Sequence, residues 1–231
     1  MIFWLLPPKI CMARSGVIVD VKFCFQEEIN LTVRKTSVFF PGDGFIVYNP
    51  DGEVIFRFDS YGPDSQPKDE LVLMDASGKC LLSILRKKPS LHHRWEGFLG
   101  ERKVCNGDHQ EAIFSVCRSS IIGRSSLVVE VCRDPREEYY IEGNYPQRRC
   151  KIYSGGASLE NSLKQAVAEI KRKVDPSTHV MLGKDVFWLC VQPGLDAAFA
   201  MGLVLVLDQI YGDDDGGRLV DPTLENATSS S

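Results

Sequence analysis

The chain is predicted to be all-β with one central helix: a closed barrel of about twelve strands enclosing a hydrophobic C-terminal α-helix. Three observations predict this. Short β-branched and aromatic runs alternate with turn signals from about residue 30 to residue 191. One stretch, Ala197 to Leu207 (AAFAMGLVLVL), carries no polar side chain. No convincing long helical pattern precedes residue 195.

The strand runs are taken in order. Leu31 to Phe40 (LTVRKTSVFF) is rich in β-branched and aromatic residues and ends at the turn signal Pro41-Gly-Asp-Gly44. Phe45 to Tyr48 and Val54 to Asp59 flank Asn49-Pro-Asp-Gly52, a hairpin signal because Asn, Pro and Gly each favour turn dihedrals. Leu71 to Asp75 and Cys80 to Arg86 flank Ala76-Ser-Gly78. Trp95 to Gly100, Ala112 to Cys117, Leu127 to Val131, Tyr139 to Gly143, Arg149 to Tyr153, Leu163 to Lys173 and Val186 to Val191 complete the set. Leu159 to Val174 admits an amphipathic helix as well. Strand is preferred there, although Ala166, Ala168 and Ile170 alternate with polar residues only in part. Phe45–Phe58 and Leu71–Ile84 align at an offset of 26 residues with their glycines coincident. Hairpins of similar length winding round a barrel produce such an echo, as does turn chemistry common to all hairpins. A second echo joins Ile84–Lys88 to Ile170–Lys173.

The apolar run is too short to cross a bilayer. Its eleven residues cover about 16 Å at about 1.5 Å each, whereas a span needs about 20 residues for about 30 Å of hydrocarbon. Asp196 and Asp208 bound it, with Pro193-Gly194 and Gly212 as start and stop signals. A helix apolar on every face belongs in a core. A twelve-stranded barrel has a lumen that side chains alone do not fill, and a helix of about 10 Å diameter fills it. The run is therefore read as a plug at about 196–210.

Composition narrows the function classes. With 231 residues, 44% hydrophobic and 25% charged, this is an ordinary globular chain. A net charge of −4 provides no global basic field for nucleic acid. Eight cysteines (Cys11, Cys24, Cys80, Cys105, Cys117, Cys132, Cys150, Cys190) show no C-x-x-C spacing and no histidine pair to complete a zinc set, so they read as reduced thiols. The opening MIFWLLPPK lacks the basic region and longer apolar region of a signal peptide. Residues 1–25 are assigned to a disordered N-terminal segment, 26–211 to one barrel domain, and 212–231 to a disordered acidic and Ser/Thr tail.

The quoted strand segments, in order, resemble the LURP-one-related family of plants. GFIVYNPDGEVIFRFDSY, LVLMDASGKCLLSILRKK, RWEGF, YYIEG and AEIKRK follow the opening strand. The close is VFWLCVQPGLDAAFAMGLVLVLDQI, with V-x-P-G-x-D before the apolar helix. The resemblance spans about residues 30 to 211. It implies the Tubby C-terminal-like fold, a twelve-stranded barrel around a C-terminal helix, shared with phospholipid scramblases and with the phosphoinositide-binding domain of Tubby proteins. It brings no agreed catalytic motif. The stretch Ser154 to Ser162 and the tail after residue 212 depart from the family pattern.

Two dense basic clusters are the candidate site: Arg86, Lys87 and Lys88, and Lys171, Arg172 and Lys173. Strand alternation puts Arg86 and Lys88 on the face of Ile84, and Arg172 on the face of Ile170. With both isoleucines in the core, the arginines sit near a barrel rim while Lys87, Lys171 and Lys173 point outward. Arginine by bidentate contact and lysine by point charge suit an inositol phosphate. The competing reading is solvated cations that guard strand ends against edge pairing. Arg148, Arg149 and Lys151 form a weaker third patch. His92, His93, His109 and His179 lie in no catalytic motif, and Asp213 to Asp215 reads as solvated tail. Trp95 and Trp188 are assigned to the core.

The expectation is a non-enzymatic binding module docking on anionic phospholipid, a phosphoinositide, at a membrane surface in plant defence or stress response. The alternative is a protein-interaction scaffold in defence signalling with no lipid ligand. No catalytic residue, metal or cofactor is expected. The expected partners are anionic phospholipid or a signalling protein, with no nucleic acid and no transmembrane span. The expected location is intracellular: cytoplasmic, peripheral at the plasma membrane, or nuclear.

Overall fold

The computed structural model describes residues 17–36, 44–59, 70–88, 94–102, 110–118, 126–134, 137–155 and 166–211. Residues 1–16 and 212–231, His92, His93, His109 and most of the 154–162 stretch lie outside the described residues. Twelve strands form a closed antiparallel barrel. They are β1 (Ile29–Lys35), β2 (Gly44–Tyr48), β3 (Val54–Asp59), β4 (Glu70–Asp75), β5 (Cys80–Arg86), β6 (Trp95–Leu99), β7 (Phe114–Arg118), β8 (Leu127–Val131), β9 (Glu138–Asn144), β10 (Arg149–Gly155), β11 (Ala166–Arg172) and β12 (Val186–Val191). Each strand pairs with its neighbours in sequence, and β1 closes the ring against β12, from Ile29↔Val191 to Arg34↔Val186. The ambiguous 159–174 segment is strand over Ala166–Arg172.

Period-two alternation decides which side chains face the lumen. Leu31 and Val33, Phe56 and Phe58, Leu71 and Leu73, Leu82 and Ile84, Val129, Ile141, Ile152, Ile170, Phe187 and Leu189 are all buried. The coincident glycines of the 26-residue echo, Gly52 and Gly78, both stand at positive φ (85° and 89°) in tight hairpin turns. That conformation costs glycine no Cβ clash, so shared turn geometry explains why the glycines align.

The plug is α1 (Ala197–Tyr211), buried from Ala197 through Asp208. Phe199 packs edge-on to Phe114 at 5.2 Å between centroids and tilted to Tyr139 at 5.3 Å. A Cβ on Gly202 would come within 3.1 Å of Leu82 Cδ1 and 3.3 Å of Ile84 Cδ1, so that turn of the helix lies close against β5. Asp196 caps the helix: its Oδ1 accepts from the amides of Ala198 (2.9 Å) and Phe199 (3.2 Å). Its Oδ2 accepts from the amides of Ile18, Val19 and Asp20 at 3.3, 2.7 and 2.9 Å. Burial pushes the Asp196 carboxyl up, against the pull of these amides.

This contact corrects the domain boundary at residue 25. Residues 17–25 belong to the fold, with a 3₁₀ turn at Val21–Phe23, Ile18 buried and Phe23 edge-on to Phe56 at 4.8 Å. The stretch VIVDVKFCF alternates apolar and polar residues, but it forms a 3₁₀ turn rather than a strand, held by backbone amides that carry no side-chain signal.

Candidate functional site

Odd-numbered strands all run one way, so β5 and β11 end at the same mouth of the barrel, where α1 also ends. Arg86 to Lys88 and Lys171 to Lys173 therefore share a rim. In the ring order β5 and β11 stand six strands apart, on opposite walls. With strands about 4.8 Å apart, the barrel is roughly 20 Å across. The two clusters are separate surfaces. Ile84 and Ile170 are fully buried, Lys87 and Lys88 are exposed, and Arg86, Lys171, Arg172 and Lys173 are half-buried.

In the first cluster, Lys87 belongs to an ion-pair network across the wall. Lys87 Nζ lies 2.9 Å from Glu96 Oε1. Arg94 lies 3.7 Å from Glu96 and 3.4 Å from Glu130, and also donates to Ser115 Oγ at 2.9 Å. Glu96 and Glu130 thus offset Lys87 and Arg94 across β5 to β8.

The second cluster differs. Trp188, assigned to the core by sequence, stands on the outer face of β12, because its neighbours Phe187 and Leu189 fill the lumen. Cross-strand register aligns Arg149, Lys171, Trp188 and Thr32 in one row over β10, β11, β12 and β1. The ammonium groups of Lys171 and Lys173 lie 5.7 and 5.9 Å from the Trp188 ring, within cation–π range. Lys173 Nζ also donates to Thr32 Oγ1 at 2.7 Å. Burial pulls the Lys171 ammonium down, but its bond to Cys190 and the carboxylates of Glu169 and Glu28 lift it above the ordinary lysine value. It is therefore charged at neutral pH. Arg34 and Arg149 are exposed on the same wall, and Lys151 faces Glu169 at 3.8 Å.

Arg172 and Arg148 serve the rim itself. Arg172 Nη2 donates to the Leu182 carbonyl at 2.6 Å, so the arginine expected to clamp a phosphate instead holds the β11–β12 hairpin. Arg148 lies between the rings of Tyr145 (4.2 Å) and Phe187 (4.4 Å) and donates through Nε to the Lys184 carbonyl at 2.9 Å. It is buried, so the third patch reduces to Arg149 and Lys151. Beside Arg148, Lys35 Nζ and the Tyr145 hydroxyl both approach Asp208 at 3.2 Å, closing the mouth around the helix end. A cation here also complements the helix C-terminus.

Burial pushes the Cys150 thiol up to about 12, and burial with the charges of Asp196 and Asp20 pushes Cys24 up to about 11. Among the described residues no group of three or more His, Cys, Asp or Glu is placed to hold a metal ion. No helix among them is long and apolar enough to cross a membrane.

A closed antiparallel twelve-stranded barrel threaded by an apolar C-terminal helix defines the class of protein. The profile of the LURP-one-related family matches residues 29–208. Two Arabidopsis thaliana relatives, Protein LURP-one-related 12 and Protein LURP-one-related 5, are each 56% identical to this chain. The first match covers 91% of this chain and 92% of the relative, and the second covers 92% and 99%. An X-ray structure of an Arabidopsis thaliana protein shares the fold at a TM-score of 0.58 and 24% identity, over 85% of this chain and 99% of that one. The chain belongs to the LURP-one-related family.

Proposed function

We propose that this protein is a non-enzymatic binding module that docks on anionic phospholipid through the wall formed by β10, β11, β12 and β1. The observation that carries the reading is Trp188 on the outer face between Lys171 and Lys173, with Arg149 in the same row. An indole suits the interface between headgroups and acyl chains, and the surrounding cations suit phosphates. The opposite wall offers Lys87 already bound to Glu96. In this reading the docking takes place at an intracellular membrane surface and serves plant defence or stress response.

Cosedimentation with phosphoinositide-containing vesicles at graded salt tests this. Each basic residue near an anionic surface contributes about 1 kcal/mol, so Lys171→Ala and Lys173→Ala should each weaken binding by about 5-fold. Lys87→Ala should have little effect. Equal losses from both walls would overturn the choice of wall, and no binding by the wild type at moderate salt would remove the lipid reading. The second result would favour a protein-interaction scaffold using the same wall.

A further inference from the structure

We infer that the hairpin joining β11 to β12 is a membrane-inserting tip, with Val180 and Met181 entering the acyl-chain boundary of an anionic bilayer while the lysines beside Trp188 hold the headgroups. The inference rests on the lipid-docking reading above and adds the inserted residues and the orientation. Val180 and Met181 are 59% and 52% exposed, adjacent, and carried beyond the last ladder pair of the strands. The other large exposed apolar residues among those described, Val17, Val21 and Val54, lie at the opposite end of the barrel.

The tip is ordered. Met181 bridges to Val174, Asp175 N donates to the Val180 carbonyl and His179 N to the Asp175 carbonyl, both at 2.9 Å. Asp175 Oδ1 accepts from the amides of Ser177 (2.8 Å) and Thr178 (3.0 Å). His179 takes a left-handed φ of 57° to complete the turn. At the base, Arg172 holds the Leu182 carbonyl and Arg148 the Lys184 carbonyl. Side chains at neighbouring positions of an extended segment point to opposite faces, so the pair presents apolar surface on both sides of the ribbon. A turn fixed before binding loses little entropy on docking. A rigid apolar tip above a collar of Lys171, Lys173 and Arg34 is complementary to a negatively charged interface, where apolar burial and phosphate attraction act together.

The test uses the full chain with phosphatidylcholine vesicles containing phosphatidylserine. In Met181→Trp, lipids brominated on the acyl chains should quench the added indole beyond any quenching seen in the parent. Val180→Glu combined with Met181→Glu should weaken binding by at least about 10-fold without moving the thermal midpoint, since both sites are exposed. Lys171→Glu with Lys173→Glu should remove the salt-sensitive part of binding and leave acyl-chain quenching of the residual bound fraction. Binding that is unchanged in the double glutamate variant, with no bromine quenching at position 181, overturns the insertion and leaves docking standing. Absence of vesicle binding by the wild type overturns both. Should the glutamate variant fail to fold, quenching in Met181→Trp decides alone.

Discussion

Asp196 is the residue on which the lower end of the molecule depends. One carboxylate oxygen caps α1 and the other collects three amides of the N-terminal segment. Asp196→Asn keeps an oxygen for the helix but turns an amide donor toward Ile18, Val19 and Asp20. Asp196→Ala removes both sets. Leaving buried amides unsatisfied costs about 1–3 kcal/mol and losing a cap costs about 0.5–2 kcal/mol. The Asn variant should therefore lose protection of the 18–20 amides in hydrogen exchange while the amides of Ala198 and Phe199 stay protected. The Ala variant should lose both. Loss of helix-end protection in the Asn variant would contradict this division. The sequence displayed this aspartate in V-x-P-G-x-D, but its role was illegible because its partners lie 176 to 178 residues away. Trp188 failed differently. Its position was recoverable from alternation with Phe187 and Leu189, but the bulk of an indole argued for the core.

At the scale of elements, strands were legible because alternation, β-branching and turn residues agree along each one. Val54–Asp59, Cys80–Arg86, Leu127–Val131 and Val186–Val191 match expectation to the residue. The long β11–β12 connection was less legible, because its order comes from hydrogen bonds to Asp175 and from the rim arginines. Asp175 also gives the hairpin a pH signature. Bonds from the Ser177 side chain, then from the Thr178 and Ser177 amides, hold its carboxyl down at about 2, below the ordinary 3.8. A depressed folded-state value means that the turn gains stability when the group is ionised. That gain is present in full above the ordinary value and is lost as pH falls through about 2. A carboxyl ¹³C titration should place Asp175 near that lower value, and replacing Ser177 by Ala should move it back toward 3.8. A midpoint at the ordinary value in the wild type would show that the turn does not form as described.

For the whole molecule, the apolar run signalled a buried helix by its length and its bounding aspartates. Ring closure was an inference from strand number, since no local feature of β1 names β12 as its partner. The structure joins the two facts: inward side chains from all round the ring need a partner in the lumen, and α1 is that partner. Interior and exit positions of the helix should then respond unequally to truncation. Phe199 lies between Phe114 and Tyr139 and is fully buried, so Phe199→Ala should open a cavity costing about 3–5 kcal/mol. Tyr211 sits at the mouth, half-buried, with Arg118 5.6 Å over its ring. Tyr211→Ala should cost about 1 kcal/mol, the scale of an exposed cation–π contact. Urea unfolding of both variants measures the difference. Equal, small losses would mean that the barrel holds together without its helix, and the lumen would then have to be filled in some other way.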